Sequence, residues 1–245
     1  MVIIKRQNGP VANWWFEDEE EPITYQPNPQ KLCELLEICQ SVAVVLERYE
    51  LLRPSMVILA DWIDPNSSEN KLLEDEPAIT VPIPSDAGAG KIVDIVKQAL
   101  ERLIQKREGN RKGLPLPTVY PTTVDVLGTG VVINGAGHKY EFPNVVWLSG
   151  AGDGRLAVDV NTQIDAWLPH TLLGEPQPDV YNYNQPRLES ALREIQSRLG
   201  IVPITDDHNK YVLINGLHLA NYMDDDEPMV VVRSPYSQWF RSVLM

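Results

Sequence analysis

The chain has 245 residues, 43% apolar and 22% charged, enough to bury a core in one large domain or two modest ones, so disorder throughout is excluded. Its 21 Lys and Arg against 34 Asp and Glu leave a net charge of −13, which disfavours a nucleic-acid binder because phosphate affinity comes from cationic side chains. No apolar run approaches the roughly 20 residues of a bilayer span, and the segment Met1 to Pro10 lacks the apolar region of a signal peptide, so the expectation is a cytoplasmic protein without membrane contact.

Val2 to Lys5 reads as a short strand. The aromatic run Asn13-Trp14-Trp15-Phe16 directly precedes the acidic run Glu17-Asp18-Glu19-Glu20-Glu21. Such aromatics either close the end of a core or form a contact patch beside the carboxylates, since aromatic side chains dominate interface hot spots. Asn28 and Pro29 suit the cap and first turn of a helix over 29–49, whose apolar stripe runs from Leu32 through Leu36, Cys39, Ala43 and Leu46. Cys33 and Cys39 fall on different sides of that helix, too far apart for a disulfide, and read as reduced core thiols. Pro54 interrupts the pattern, and Met56 to Ala60 reads as a buried strand.

Residues 64–90 are proline-rich and loop-like, and they include the acidic run Glu74 to Glu76. The segment Ser85 to Lys91 ends in Gly-Lys before a helix, as a phosphate-binding loop does. However, Ser85 stands at the first glycine position and Ile92 at the position of the metal-holding hydroxyl. The helix 91–107 that follows has one apolar face, while its other faces carry Lys97, Arg102, Lys106 and Arg107. These cations suit an internal partner for the acidic runs, or a face for an anionic ligand. Gly113-Leu114-Pro115-Leu116-Pro117 is stiff and extended, which suggests two lobes, 1–112 as an N-terminal α/β lobe and 113–245 as a C-terminal α+β lobe.

From Val124 to Leu168 the sequence alternates β-branched runs with glycine turns, at Asn134-Gly135 and at Gly150-Ala151-Gly152-Asp153-Gly154, which predicts successive hairpins. The second glycine cluster leads into a strand, not a helix, so it is not a dinucleotide loop. Asn184 to Gly200 reads as a third helix, opened by Asn184, Gln185 and Pro186 and closed by Gly200. A further hairpin is expected over Tyr211–Tyr222 around Asn215-Gly216, then a strand Met229–Val232, then a short helix from Ser234-Pro235 to about Leu244.

Chemistry is harder to find. His138, His170 and His218 have no recognisable catalytic setting, and His208 follows Asp206-Asp207 in a polar loop. There is no nucleophile elbow, zinc helix or calcium loop, so no catalytic residue, metal ligand or cofactor is assigned. The fold expected is α+β, an antiparallel β-meander sheet packed by three amphipathic helices. The function expected is an acidic protein-binding module, an inhibitor or immunity-type protein that masks a basic partner. Its partner-binding residues would be Trp14, Trp15, Glu17, Asp18, Glu19, Glu20, Glu21, Tyr222, Asp224, Asp225, Asp226 and Glu227. The alternatives are a nucleotide-dependent or hydrolytic enzyme using the Ser85–Lys91 loop or a carboxylate cluster, and a structural component of a larger assembly.

Overall fold

A computed structural model describes residues 2–6, 10–18, 29–63, 78–110, 120–152, 155–205, 211–230 and 239–243. In chain order the elements are β1 (Val2–Arg6), β2 (Ala12–Glu17), α1 (Pro29–Arg48), β3 (Arg53–Ile63), β4 (Ile79–Pro82), α2 (Ile92–Asn110), β5 (Tyr120–Ile133), β6 (Lys139–Pro143), β7 (Val146–Ala151) and β8 (Ala157–Thr162). They continue with α3 (Pro178–Leu199), β9 (Ile204–Thr205), β10 (Val212–Asn215), β11 (His218–Asn221), β12 (Met223–Asp224), β13 (Glu227–Pro228) and β14 (Trp239–Val243).

Eight strands form one antiparallel sheet in the order β4-β3-β5-β7-β8-β2-β9, with β6 paired to the second half of the long β5. The three helices found among the described residues pack on this sheet, an α+β architecture as expected. Along β2 and β7 buried residues alternate with half-buried ones, the period of a two-faced sheet. Trp14, Phe16, Val57, Leu59, Val124, Val126, Leu148, Val158 and Val160 make the inner face and are sealed from water. The apolar stripe of α1 lies over that face and supplies Leu35, Leu36, Cys39, Val42, Ala43 and Leu46 to the same core. Each such Leu or Val contributes about 1.5–3 kcal/mol when fully buried.

The approach of α1 to the sheet explains one glycine. Gly150 lies within β7 and pairs with Val158, so it is not the turn residue that its neighbourhood suggests. A Cβ there would stand 2.8 Å from Cys39 Sγ and 3.0 Å from Leu35 Cδ1, so the helix seats where a side chain is missing. The hairpin itself forms as predicted, with Ala151 opposite Ala157, while Asp153 and Gly154 lie outside the described residues. In the β5–β6 connection the left-handed residue is Gly137, at φ +80°, and not Gly135. Asn134 Oδ1 organises that loop by accepting from the backbone N–H groups of Ala136 and His138, each at 2.9 Å.

α3 begins six residues earlier than its sequence signals suggest, at Pro178, which fills the first turn where its missing N–H costs nothing. Pro186 is therefore interior. Its missing N–H deprives the Asn182 carbonyl of its helical donor, and both residues are exposed. Asn184 is not a cap but a fully buried bridge to the sheet. Its Oδ1 accepts from Ile133 N at 3.0 Å and its Nδ2 donates to Ile133 O at 2.7 Å, replacing a strand partner at the end of β5. Arg187 ties the same helix to both neighbours by donating to Val131 O at 3.1 Å and Tyr49 O at 2.8 Å.

At the C-terminus the expected helix is replaced by β14, which pairs antiparallel with β1 from Val2↔Val243 to Arg6↔Trp239. Trp239, Phe240 and Val243 are residue types that favour strands, a local preference that the Ser234-Pro235 helix-start signal does not override. The linker candidate at 113–117 lies outside the described residues, and strands from either side of it share the sheet: β3 pairs with β5 and β2 with β8. Cys39 is buried and Cys33 half-buried, and neither is in a disulfide. No described helix is long and apolar enough to cross a membrane.

Candidate functional site

The outer face of the sheet, opposite α1, carries a transverse row of residues set by register. Ile58 lies opposite Asp125, Asp125 opposite Ser149, Ser149 opposite Asp159, and Asp159 opposite Trp15. At about 4.8 Å per strand, the two aspartates flank Ser149 with Cα atoms about 10 Å apart. Trp147 stands in the next row, opposite Asn161, which in turn faces Asn13. The row is neither core nor open surface: Asp125, Ser149, Asp159, Trp15 and Trp147 are all half-buried.

That intermediate burial sets the electrostatics. Desolvation pushes the Asp159 carboxyl up to about 6, against smaller opposing effects of the Asn161 and Asn13 amides. The Asp125 carboxyl is also raised, by burial first and by the neighbouring Asp61 charge, while the Ser149 hydroxyl, donating to Oδ1 at 2.7 Å, opposes the shift. Asp159 Oδ1 is buried and accepts no hydrogen bond. Neither aspartate pairs with a cation among the described residues.

A second acidic feature lies in the chain from 211 to 230. β10 and β11 form a hairpin from Val212↔Asn221 to Asn215↔His218, turned by Gly216 at φ +62°. β12 and β13 form another, and Tyr222 joins them: its N–H donates to Tyr211 O at 3.1 Å and its carbonyl accepts from Met229 N at 2.8 Å. The tip of the second hairpin is Asp224-Asp225-Asp226-Glu227, all exposed. Leu213, Tyr222, Met223 and Val230 are exposed apolar side chains of this same short meander.

The structure divides the residues that the sequence puts together. Trp14 is fully buried on the inner face, with Nε1 donating to Gly216 O at 2.9 Å, so it is a core residue. Trp15 points to the outer face and donates to Glu17 Oε2 at 2.8 Å, and Glu17 pairs with Arg155 at 3.4 Å. Asp18 is exposed and Glu19 to Glu21 lie outside the described residues. Tyr222 and Asp224 to Glu227 belong to the meander, which is held to the segment leaving the far end of β8: Val230 packs at Gly174, and Asn221 bonds His170. Glu17, by contrast, pairs with Ala157 at the near end of β8. The first run continues β2 of the main sheet, whereas the second is the tip of a separate two-stranded hairpin. Asp125 and Asp159, like Asp153 and Asp165, stand in the sequence as aspartates whose geometry spacing does not give, and strand order alone makes the first two neighbours of Ser149 and Trp147.

Other sequence candidates are absorbed by packing. In the Ser85–Lys91 loop, Ala89 N–H donates to Glu47 Oε2 at 3.0 Å and, one turn on, Val93 N–H donates to Gln40 Oε1 at 2.9 Å. These amides, which would cradle a phosphate, are satisfied by α1. Lys91 pairs with Asp94 at 3.8 Å. His218 is bonded by Tyr181 Oη at 2.9 Å and faces Glu189 Oε2 at 3.4 Å, fastening the β10–β11 hairpin to α3. His208 with Asp206-Asp207 lies outside the described residues, and among those described no group of His, Cys, Asp and Glu could hold a metal. Asp165 is fully buried and accepts from Leu172 N at 3.0 Å, a structural role in the loop after β8. Searches against family models, curated proteins and solved structures find nothing that matches this chain.

Proposed function

We propose that the chain is a protein-binding module that holds a basic segment of a partner protein on the outer face of its sheet, as an inhibitor or immunity-type protein covers its target. The observation that carries this reading is the Asp125–Ser149–Asp159 row, two half-buried carboxylates that pair with no cation among the described residues, with Trp15 and Trp147 beside them. A lysine or arginine from a partner completes such a row. Hydrogen bonds to charged groups contribute about 1.5–3 kcal/mol each, and a cation over a tryptophan face adds about 0.5–2 kcal/mol. The net charge of −13 steers a basic partner toward the chain and speeds association.

The test is titration calorimetry with a short arginine-rich peptide at pH 7.5. The double variant Asp125→Asn, Asp159→Asn is expected to weaken binding at least about tenfold, a loss of about 1.4 kcal/mol. A control pair of equal charge change at the exposed Asp86 and Asp94 is expected to have little effect. Equal losses in both variants would reduce the interaction to net charge and sink the reading. The hydrolytic alternative draws on the same aspartates, since a carboxyl near 6 suits acid–base work close to neutrality. Its distinguishing result is turnover of a chromogenic ester, phosphate or glycoside that Asp159→Asn abolishes.

A further inference from the structure

We infer that the 211–230 meander is a separate docking surface, fitted to a basic protein segment that carries an apolar side chain next to its lysine or arginine. Three features of this short piece are each unfavourable in the free protein. Asp224 and Glu227 stand directly opposite one another in the β12–β13 ladder, and like charges so placed repel. The two residues of the turn between them, Asp225 at φ +47° and Asp226 at φ +68°, both adopt the left-handed conformation that glycine and asparagine occupy most cheaply. Leu213, Tyr222, Met223 and Val230, between 42% and 49% exposed, put four of the seven large exposed apolar side chains among the described residues on this one meander.

None of the four tip carboxylates is paired with a cation among the described residues. Charge complementarity therefore selects the occupant. A second copy would bring four carboxylates against four and −13 against −13, so self-association is opposed. A cationic segment relieves the Asp224–Glu227 repulsion, while an apolar neighbour on it covers Tyr222 and Leu213, the combination of charged rim and apolar centre found at protein interfaces. The surface is distinct from the Asp125–Asp159 row: its first hairpin bonds Trp14, an inner-face residue, through Gly216 O, while the row lies on the outer face.

The experiment uses the whole chain and two synthetic peptides, one alternating lysine with leucine and one alternating lysine with serine. The double variant Asp225→Asn, Asp226→Gly places the preferred residues in the turn, so its melting temperature is expected to rise, which keeps misfolding from mimicking lost binding. Wild type is expected to bind the lysine–leucine peptide at least about tenfold more tightly than the lysine–serine one; Tyr222→Ser is expected to remove that preference, and the turn variant to weaken both peptides. Equal affinity for the two peptides overturns the inference. So does a preference kept by Tyr222→Ser and lost in Asp125→Asn, Asp159→Asn, a result that would leave the sheet-face reading standing. A concentration-dependent dimer abolished by Tyr222→Ser would assign the patch to a second copy and likewise overturn it.

Discussion

Asp159 concentrates the physical problem of the outer face in one side chain. Its carboxyl is raised to about 6, so the folded protein holds this proton more tightly than the unfolded chain, in which an aspartate titrates near 4. Between those values the folded state binds more protons, and stability falls as pH rises through that window. The group favours folding fully below about pH 4, and the advantage is gone above about 6, a swing of roughly 3 kcal/mol at most. Asp159→Asn, which cannot ionise, is expected to stabilise the free protein by about 1–2 kcal/mol at pH 7.5 and to have almost no effect at pH 4. Denaturant unfolding at the two pH values measures this, and a difference independent of pH would show that burial of the charge is not what strains the site. The same substitution is expected to weaken binding of a basic peptide. On the proposed reading, stability and binding make opposite demands on this residue, as they do where a site keeps a charge that its ligand satisfies.

Among the elements, α1 and β7 are the pair whose fit is tightest to read. Gly150→Ala puts a methyl against Cys39 Sγ and Leu35 Cδ1 and is expected to cost about 1–3 kcal/mol by overpacking. Removing the sulfur with Cys39→Ala makes room, so the double variant is expected to be more stable than the sum of the single effects by at least about 0.5 kcal/mol. Strict additivity in the four-member cycle would mean that α1 shifts away instead of clashing. The thiol offers an independent check on the seating of the helix. Burial pushes Cys39 up to about 12, with the Asp125 charge adding to it, so almost none of it is thiolate at neutral pH.

At the scale of the whole molecule, the connectivity binds distant stretches of chain into one sheet. β3 runs beside β5 from Arg53↔Thr129 to Ile63↔Tyr120, and β2 runs beside β8 along its full length. A cut at 113 separates both pairs and exposes the valine-rich edges of β5 and β8. The pieces 1–112 and 113–245 are therefore each expected to be insoluble or unfolded when expressed alone, and to regain structure on mixing. Circular dichroism and solubility decide the matter, and two independently folded, soluble fragments would show that the inter-strand pairing is dispensable.

The sequence by itself determined those features whose cause is local. The apolar stripe of α1, the alternation of Leu156, Val158 and Val160 with Ala157 and Asp159, and the Gly216 turn between β10 and β11 are written in neighbouring residues, because helix and strand periods act within a few positions. The acidic excess and the lack of nucleotide and metal motifs are legible in the same way. Where local signals compete, tertiary packing chose: Pro186 reads as a helix start, yet the buried bridge of Asn184 to Ile133 places it inside α3, and the C-terminal segment pairs with β1 instead of coiling. Trp14 and Trp15 are adjacent and chemically alike, and only the pleat sends one into the core and the other to the outer face. The candidate site belongs wholly to the tertiary structure. Asp125, Ser149 and Asp159 are far apart along the chain, and nothing in their neighbours marks them. Strand order and register set them side by side, and burial within the assembled sheet, which no single segment carries, raises their carboxyls.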